Sequence, residues 1–298
     1  MGASGREKWW WFLLGGAVTS SLVLAFSFAK RKRKLRGCGN KPSAMFPSPP
    51  SSVQSPLHHL DLSRLRDSPQ KPMVTSSSDS LDVEKSMVFQ IVLTGGPCGG
   101  KSSTMLHLDK VLREDHGFDV YLCPEVPTLL LNAGCRYPGY FGDERELVQF
   151  EVSLVELQLQ MELSMVQIAQ STGRPSVILY DRGLLDFAAY TPQEKWAQVM
   201  NHNQWIRDGI LHCATKYDLI LHLETAARGA EPAFARGGVA ATSKQEVEDA
   251  RELDRKLLAC WRGHPHQRMI DNSTDFSGKL ARATRHVLEL VLNHRLLL

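Results

Sequence analysis

The segment 95–102 reads Gly-Gly-Pro-Cys-Gly-Gly-Lys-Ser and satisfies the pattern G-x-x-x-x-G-K-S in full. It follows a β-like run at 87–94 and precedes a helical pattern that begins near Lys101. Glycines let consecutive backbone N–H groups converge on one anion, and the start of the helix adds its positive dipole end. The pattern therefore predicts a phosphate-binding loop at a strand-to-helix turn, and the alternative is a chance glycine-rich turn.

In such a loop the lysine and the serine have separate tasks. We expect Lys101 to reach the β- and γ-phosphates of a nucleoside triphosphate and the Ser102 hydroxyl to ligate Mg²⁺, so the implied cofactor is Mg²⁺ with ATP or GTP. Because Cys98 lies beside Lys101 and the helix start, one hypothesis is that its thiol pKa is depressed. The alternative is a small side chain that fits the loop. The residues of this loop that we predict to bind nucleotide are Gly95, Gly96, Pro97, Cys98, Gly99, Gly100, Lys101, Ser102 and Ser103.

Composition divides the chain of 298 residues into an N-terminal part and a foldable part. Residues 37–86 are crowded with proline and serine and have no sustained apolar period, which predicts a disordered linker. Residues 87–298 have the size of one α/β domain with its own core. The six cysteines lie far apart without a C-x-x-C pair, which indicates neither a zinc site nor a disulfide framework.

An uncharged stretch of 21 residues, 9–29, begins with three tryptophans and is followed by a basic run at 30–36. As a helix it would span about 31 Å, which matches the hydrocarbon core of a bilayer, and the tryptophans suit its interface. We therefore predict a single transmembrane helix at 9–29. The alternatives are a cleaved signal peptide and, for the basic run taken alone, a nuclear-import or RNA-binding patch.

The basic run carries six positive charges in seven residues, while the whole chain has a net charge of +3. The positive-inside rule places the residues after 30 in the cytosol and the tail 1–8 on the far side, so we predict a single-pass protein with a cytosolic C-terminal domain. The linker 30–86 is thus basic first and then rich in proline and serine. Its basic part would attract anionic lipids. We expect no nucleic-acid partner, and the sequence specifies neither the membrane nor a protein partner.

Within the domain, apolar runs alternate with helical patterns, which predicts a parallel sheet with right-handed crossovers. We predict strands at 87–94, 119–126, 176–180, 217–223 and 267–270, with the main helices at 101–114, 145–170, from a capping box at 243–246 to 261, and after the last strand. Ligands of such sheets bind outside the carboxyl ends of the strands. Glu125, Asp181, Arg182 and the segment after Glu224 should therefore join the glycine-rich loop at one edge.

Three charged residues at that edge suit phosphoryl transfer, which depends mainly on positioning and charge neutralisation. Asp181 could hold Mg²⁺ or orient an acceptor, and Arg182 could bind an acceptor phosphate in a bidentate manner. Glu125 follows a strand end, where it could accept a proton from a hydroxyl group, and its alternative is a solvated loop carboxylate. We take these three residues as candidate catalytic residues, with Ser102 and Asp181 as candidate metal ligands.

The segment 225–242 is rich in glycine and alanine, carries Arg228 and Arg236, and has no apolar period. This pattern is typical of a lid that closes over bound triphosphate, excludes water and delivers guanidinium charge to the transferred group. We therefore include Arg228 and Arg236 among the candidate catalytic residues. Arg251 in the following helix is an alternative source of that charge, or simply part of a solvated face.

Several motifs together resemble one known family. They are L-T-G-G-P-C-G-G-K-S-S at 93–103, Y-D-R-G-L-L-D at 180–186, Y-D-L-I-L-H-L at 217–223, A-R-E-L-D at 250–254 and G-H-P-H-Q-R-M-I-D-N-S-T-D-F at 263–276. The stretch from 87 to 290 resembles the P-loop domain shared by NadR-type ribosylnicotinamide kinases and TRPL translocation defect proteins, grouped as NadR/Ttd14 AAA domains. The resemblance implies a P-loop NTPase fold.

The pair Asp181-Arg182 also looks like the D-R element of thymidylate and deoxynucleoside kinases. That similarity implies a kinase-like α/β fold with five parallel strands flanked by helices. By the same analogy, Asn272, Ser273 and Thr274 would lie beside the purine base and complete the nucleotide-binding set.

Three functions remain open on these patterns. The first is a membrane-anchored, Mg²⁺-dependent kinase that transfers the γ-phosphate to a small hydroxyl acceptor, and the charged residues at the sheet edge favour it. The second is a GTP- or ATP-dependent trafficking or recruitment switch with little transfer, which the anchor and linker favour. The third is a degenerate scaffold, against which the intact Lys101 and Ser102 argue.

Overall fold

The computed structural model describes residues 87–138, 143–236 and 244–295, and within these ranges the side chains of 236, 294 and 295 are not described. The predicted tail at 1–8, the transmembrane helix at 9–29 and the linker at 30–86 lie outside these ranges. No helix among the described residues combines the length and the apolar character needed to cross a membrane.

Five parallel strands form one sheet in the order β2-β3-β1-β4-β5. The strands are β1 Val88–Thr94, β2 Asp119–Cys123, β3 Ser176–Asp181, β4 Leu219–Leu223 and β5 Gln267–Ile270. Strand β1 lies in the centre, between β3 and β4, so the loop that follows it emerges from the middle of the carboxyl edge. The predicted five-stranded parallel sheet is confirmed.

Helices connect the strands and cover both faces of the sheet. They are α1 Lys101–Glu114, α2 Val126–Asn132, α3 Glu144–Ser171, α4 Phe187–Tyr190, α5 Gln193–Met200, α6 Gln204–Leu211, α7 Cys213–Lys216, α8 Glu231–Arg236, α9 Lys244–Cys260 and α10 Phe276–Arg295, with a 3₁₀ turn at Leu184–Asp186. The predicted helices at 101–114 and 145–170 are confirmed within one residue. The predicted cap at Ser243 lies outside the described ranges.

The alternating side chains of β1 divide the core between the two faces. Ile91 and Leu93 pack on one face with Leu108 of α1 and Val287 of α10. Val92 points to the other face and packs with residues of α3. Because both faces are covered, β1 is apolar along nearly its whole length, as expected for a central parallel strand.

The predicted end of the second strand is wrong, and the fourth strand begins at Leu219, two residues later than predicted. Strand β2 ends at Cys123, and the residues from Val126 onward are helical instead of extended. Pro127 stands in the first turn of α2, where a proline costs no hydrogen bond because the first N–H groups of a helix have no partner within it. Glu125 lies at the N-cap position of α2, two residues beyond the end of β2. The prediction that it follows a strand end is thus met.

Candidate functional site

The glycine-rich loop links β1 to α1 at the carboxyl edge of the sheet. Gly95 and Gly100 have φ angles of +122° and +91°, a region that side chains disfavour. A Cβ atom at Gly95 would lie 2.1 Å from the carbonyl oxygen of Leu223, and one at Gly100 would lie 2.6 Å from the ring of Phe276. The loop thus needs glycine both for its backbone path and for its close packing against neighbouring segments.

Lys101 opens helix α1 and folds back over the loop. Its Nζ atom donates hydrogen bonds of 3.0 Å to the carbonyl oxygens of both Gly95 and Gly96. Burial and then the charge of Arg182 lower the lysine pKa to about 8, although nearby carboxylates including Asp181 oppose the shift. The ammonium group therefore lies directly at the loop that is predicted to hold phosphate.

The first turn of α1 presents polar groups beside this loop. The N–H of Thr104 donates to the carbonyl of Gly100, and the preceding N–H groups of a helix have no acceptor within it. Ser102 and Ser103 are exposed in the same turn. Free N–H groups at a helix start attract anions, which agrees with the predicted function of this turn.

Asp181 is the last residue of β3, and its side chain is only partly buried. Within the described residues its carboxylate forms no hydrogen bond or ion pair. Its charge acts on Lys101, whose pKa it raises. The carboxylate is thus near the lysine and available to a ligand, and the predicted metal-binding and catalytic roles stay predictions.

Arg182 and Glu125 pair with each other. Arg182 Nε donates to Glu125 Oε1 over 2.6 Å, and the two residues are 5% and 9% exposed. Burial raises the pKa of Glu125, although the Arg182 charge opposes the shift. The guanidinium also lies 5.4 Å from the centre of the Tyr190 ring. The two groups that we expected to act separately form one buried unit, and their catalytic roles stay predictions.

A second carboxylate of the D-R-G-L-L-D motif has a purely internal set of partners. Asp186 accepts hydrogen bonds of 2.7 Å from both Thr94 Oγ1 and Trp261 Nε1, and a longer one from the Gly183 N–H. It is almost fully buried. Asp186 therefore joins the end of β1, the turn after Arg182 and the segment after α9.

Asp254 in α9 contacts the glycine-rich loop directly, and its role was not predicted from the sequence. Its Oδ1 atom accepts hydrogen bonds from the N–H groups of Gly96, at 2.7 Å, and Thr225, at 3.1 Å. His222 Nε2 lies 3.2 Å from the same oxygen. A signal for this residue exists in the sequence, because Asp254 interrupts an apolar helix face formed by Ala250, Leu253 and Leu257.

The turn after β5 lies near the loop, since the Phe276 ring packs against Gly100. Asn272 donates to the carbonyls of Thr225 and Arg228 and therefore holds the segment after β4. Ser273 donates to the carboxylate of Asp271, and Thr274 Oγ1 donates to the carbonyl of Asp275. The structure brings the three predicted base-binding residues to the site edge, and their contact with a base stays a prediction.

The first part of the expected lid is anchored. Ala226, Ala227 and Phe234 are buried against α9, although the sequence of this segment lacks an apolar period. Arg228 is exposed, with Nη1 lying 3.5 Å from a carboxylate oxygen of Glu224. Parts of this segment thus pack on α9 although its sequence has no apolar period, its closing over a nucleotide stays a prediction, and 237–243 lie outside the described ranges.

The other arginines of this region have different positions. Arg251 donates to the carbonyl of Ala227 and to Glu231, so it binds the lid segment to α9. The side chain of Arg236 is not described. The delivery of arginine charge to a phosphate by Arg228 or Arg236 stays a prediction.

The hypothesis of a depressed thiol pKa at Cys98 is wrong. Burial raises the pKa of its thiol, and the opposing charge of Lys101 is too weak to reverse the shift. Cys98 has a φ angle of 55°, so its position in the loop is determined by a tight turn that a small side chain accepts. The thiol is therefore less reactive at neutral pH than the sequence pattern predicts.

A glycine-rich loop after the central strand of a five-stranded parallel sheet, with a lysine and a serine at the following helix start, defines a P-loop NTPase-like domain. A family model described as an AAA domain matches residues 90–279, which are 190 of the 298 residues. The chain belongs to this AAA-domain family. No curated protein matches the chain.

Proposed function

We propose that the protein is a membrane-anchored, Mg²⁺-dependent enzyme that binds ATP or GTP and transfers the γ-phosphate to a small hydroxyl acceptor. One observation carries this proposal: Arg182, which donates to Glu125, also places Nη1 3.5 Å from the Gly95 carbonyl oxygen that accepts from Lys101. Asp181 precedes Arg182 at the end of β3, so three charged residues reach the edge that holds the glycine-rich loop. A nucleotide-binding domain without transfer needs the loop and the lysine. It does not need the additional charged residues beside them.

The loop geometry supports the binding of a triphosphate. The N–H groups at the start of α1 would hold phosphate oxygens, and Lys101 would exchange its contacts with the Gly95 and Gly96 carbonyls for the β- and γ-phosphates. Asn272, Ser273 and Thr274 would meet the base. ATP and GTP remain equal candidates.

The available oxygen atoms fit Mg²⁺. Among the described residues no group of three or more His, Cys, Asp or Glu residues could hold a metal ion. Mg²⁺ in nucleotide sites needs no such group, since it uses one or two side chains plus phosphates and waters. The exposed Ser102 hydroxyl and the unpaired Asp181 carboxylate are the candidate ligands, and bound Mg²⁺ would neutralise phosphate charge.

Transfer would use the residues between the loop and the ends of β2 and β3. Asp181 would orient the acceptor or the metal, and the Arg182–Glu125 pair would contact the acceptor. For Glu125 to accept a proton it must leave or share its bond with Arg182. Arg228, Arg236 or Arg251 would supply further positive charge.

The membrane attachment and the narrower family are parts of the same proposal. The uncharged stretch 9–29 and the basic run 30–36 support a single-pass anchor with the domain on the cytosolic side and with attraction to anionic lipids. The five motifs support a NadR/Ttd14-type domain. Extraction of membranes with alkaline carbonate tests the anchor: full-length protein should stay in the pellet, whereas a variant lacking 9–29 should be released.

A nucleotide-dependent switch is the second candidate, and one observation favours it. Glu125 Oε1 accepts from Arg182 Nε and Glu125 Oε2 accepts from Thr128 Oγ1, so this carboxylate is not free to take a proton from an acceptor in this conformation. The site would then report the bound nucleotide to partners, with little transfer.

Titration of the full-length protein in detergent with ATP and GTP, with and without Mg²⁺, tests nucleotide binding. Transfer of labelled γ-phosphate into a panel of nucleosides then separates the kinase from the switch. We expect Lys101→Ala to weaken binding at least about 100-fold, since it removes a charged contact to phosphate. Asp181→Asn, at the end of β3, should keep nucleotide binding and lose transfer. Asp119→Asn is the matched control, because Asp119 begins β2 at the opposite edge of the sheet.

Each outcome has a defined meaning. Transfer that disappears in Asp181→Asn and persists in Asp119→Asn supports the enzyme. Tight binding by the wild type without transfer into any nucleoside supports the switch. Wild-type protein that binds neither nucleotide, or Lys101→Ala protein with unchanged affinity, contradicts both functions.

A further inference from the structure

The peptide group between Gly95 and Gly96 is held from both sides. Its N–H donates to Asp254 Oδ1 at 2.7 Å, and its C=O accepts from Lys101 Nζ at 3.0 Å. The C=O and N–H of a trans peptide point in opposite directions. A carboxylate on one side therefore fixes the direction in which the carbonyl faces the lysine on the other.

The close approach of α9 to the loop depends on the absence of a side chain at position 96. A Cβ atom there would lie 2.9 Å from Asp254 Oδ1 and 2.9 Å from Thr225 Cβ. The carboxylate thus touches the backbone of the loop itself. It lies on the side away from Lys101 and is only 2% exposed, so it does not compete for the phosphates.

The same oxygen connects the loop to the end of β4. Asp254 Oδ1 accepts from the Thr225 N–H, and Thr225 Oγ1 donates to the carbonyl of Pro97 over 2.6 Å. Burial raises the pKa of Asp254, but His222 and the two N–H donors outweigh it, so the pKa lies below its usual range. Asp254 is therefore ionised at neutral pH and forms charge-assisted hydrogen bonds.

We infer that the Asp254 carboxylate is a positioning residue that holds the first turn of the phosphate-binding loop in its binding conformation. The inference rests on the proposed nucleotide binding and adds a residue outside the glycine-rich motif to it. Without this acceptor the Gly95–Gly96 peptide can rotate, and the backbone of the first turn of the loop loses its fixed direction. The loop then has to be ordered when nucleotide binds, and this ordering weakens the affinity.

The test compares nucleotide affinity in the full-length protein and three variants. Asp254→Ala removes the acceptor, Asp254→Asn keeps a neutral carbonyl acceptor, and Glu252→Gln alters a carboxylate of the same helix that is paired with Lys256 at the surface. We expect Asp254→Ala to bind Mg²⁺-ATP or Mg²⁺-GTP about 10- to 100-fold more weakly, because a buried hydrogen bond to a charged group is lost. Asp254→Asn should lose about 3- to 10-fold, and Glu252→Gln should not change.

Thermal unfolding of the same samples separates positioning from general stability. A purely structural carboxylate would lower Tm in Asp254→Ala, while the folded molecules would bind with wild-type affinity. The inference is supported if nucleotide affinity, measured on folded protein, decreases from wild type to Asp254→Asn and further to Asp254→Ala. Wild-type affinity in folded Asp254→Ala overturns it, and if that variant does not fold, an affinity of Asp254→Asn within twofold of wild type overturns it instead. Absence of binding by the wild type is a different result, which contradicts the proposed function.

Discussion

Glu125 and Arg182 meet because of the register between β2 and β3. Cys123 lies beside Tyr180 in this parallel pair, so the residues two positions further along each chain leave the sheet side by side. Their side chains then form the 2.6 Å hydrogen bond between Arg182 Nε and Glu125 Oε1. Arg182 adopts a φ angle of 77°, which is uncommon for a residue other than glycine. The strain is consistent with a functional position, where surrounding contacts hold such a conformation.

The first prediction concerns the stability that this pair maintains. Glu125→Gln should lower the free energy of unfolding by about 3 kcal/mol, because it removes the carboxylate that is hydrogen-bonded to a buried guanidinium. Asp119→Asn is the matched control: Arg174 and Asp119 form an ion pair at the surface, and its loss should cost less than about 1 kcal/mol. Urea denaturation of both variants measures the difference. Equal losses of unfolding free energy in the two variants would mean that Glu125 does not stabilise the buried guanidinium.

The second prediction concerns Glu151 in α3. Its Oε2 atom is buried without a hydrogen-bond partner among the described residues, and burial raises its pKa to about 8 despite the Thr191 hydroxyl. The unfolded chain releases this proton near pH 4.5, whereas the folded protein keeps it until about pH 8. Between these values the folded state binds more protons, so the contribution of Glu151 to stability falls as pH rises.

Glu151→Gln removes this dependence and keeps the shape of the side chain. We expect the stability of wild type relative to Glu151→Gln to decrease from pH 5.5 to 7.5, with a slope of up to about 1.4 kcal/mol per pH unit. Urea denaturation at pH 5.5, 6.5 and 7.5 gives the slope. Glu114→Gln, on an exposed part of α1, provides the comparison and should show no such trend. If the stability difference between wild type and Glu151→Gln does not change with pH, this carboxyl group is already ionised in the folded protein.

The third prediction uses the lowered pKa of Lys101. Burial and the charge of Arg182 bring that pKa to about 8, so the ammonium group loses its proton above this pH. The neutral amine no longer attracts phosphate. Nucleotide affinity should therefore fall about fivefold between pH 8 and 9, because the protonated fraction of Lys101 falls from about one half to about one eleventh. Lys101→Arg should bind more weakly at pH 7 but without this pH dependence, since a guanidinium stays charged. Calorimetric titrations at pH 7, 8 and 9 provide the comparison, and a parallel decline in both proteins would exclude Lys101 as the cause.

The sequence predicted the parts of this domain that depend on local patterns. The strand before the glycine-rich loop, helix α1 and the long helix α3 each have a clear period, and the structure confirms them. The short helices α4 to α7, between 187 and 216, have eight residues or fewer, so their apolar periods are too short to identify. The packing of Ala226, Ala227 and Phe234 against α9 was not predicted either, because small alanines in a segment without an apolar period do not indicate burial.

The candidate site was predictable only in its outline. The rule for parallel sheets predicts that Glu125, Asp181 and Arg182 reach one edge. The pairing of Glu125 with Arg182 depends on the register of β2 and β3, which no local pattern specifies. Asp254 is 158 positions from Gly96 in the chain. Its positions in an apolar helix face and in the A-R-E-L-D motif were the available signs, and neither identifies its partner.

The fourth prediction concerns Asp186, which connects three segments behind the site. Thr94 ends β1, Gly183 follows Arg182, and Trp261 follows α9, so loss of the carboxylate should loosen all three at once. Asp186→Ala leaves several buried donors without an acceptor and should reduce the free energy of unfolding by about 3 to 5 kcal/mol. Thr94→Val removes one donor of the same network and should cost about 1 kcal/mol.

The two variants differ in what they leave behind, and this makes the comparison informative. Thr94→Val leaves Asp186 with its bonds from Trp261 and Gly183, whereas Asp186→Ala leaves the indole N–H and the threonine hydroxyl buried and unpaired. The double variant should therefore cost less than the sum of the single ones, since the hydroxyl no longer needs an acceptor. Urea denaturation of the three proteins measures this coupling. Simple additivity would mean that Asp186 and Thr94 contribute independently and that the carboxylate is not the common acceptor of these segments.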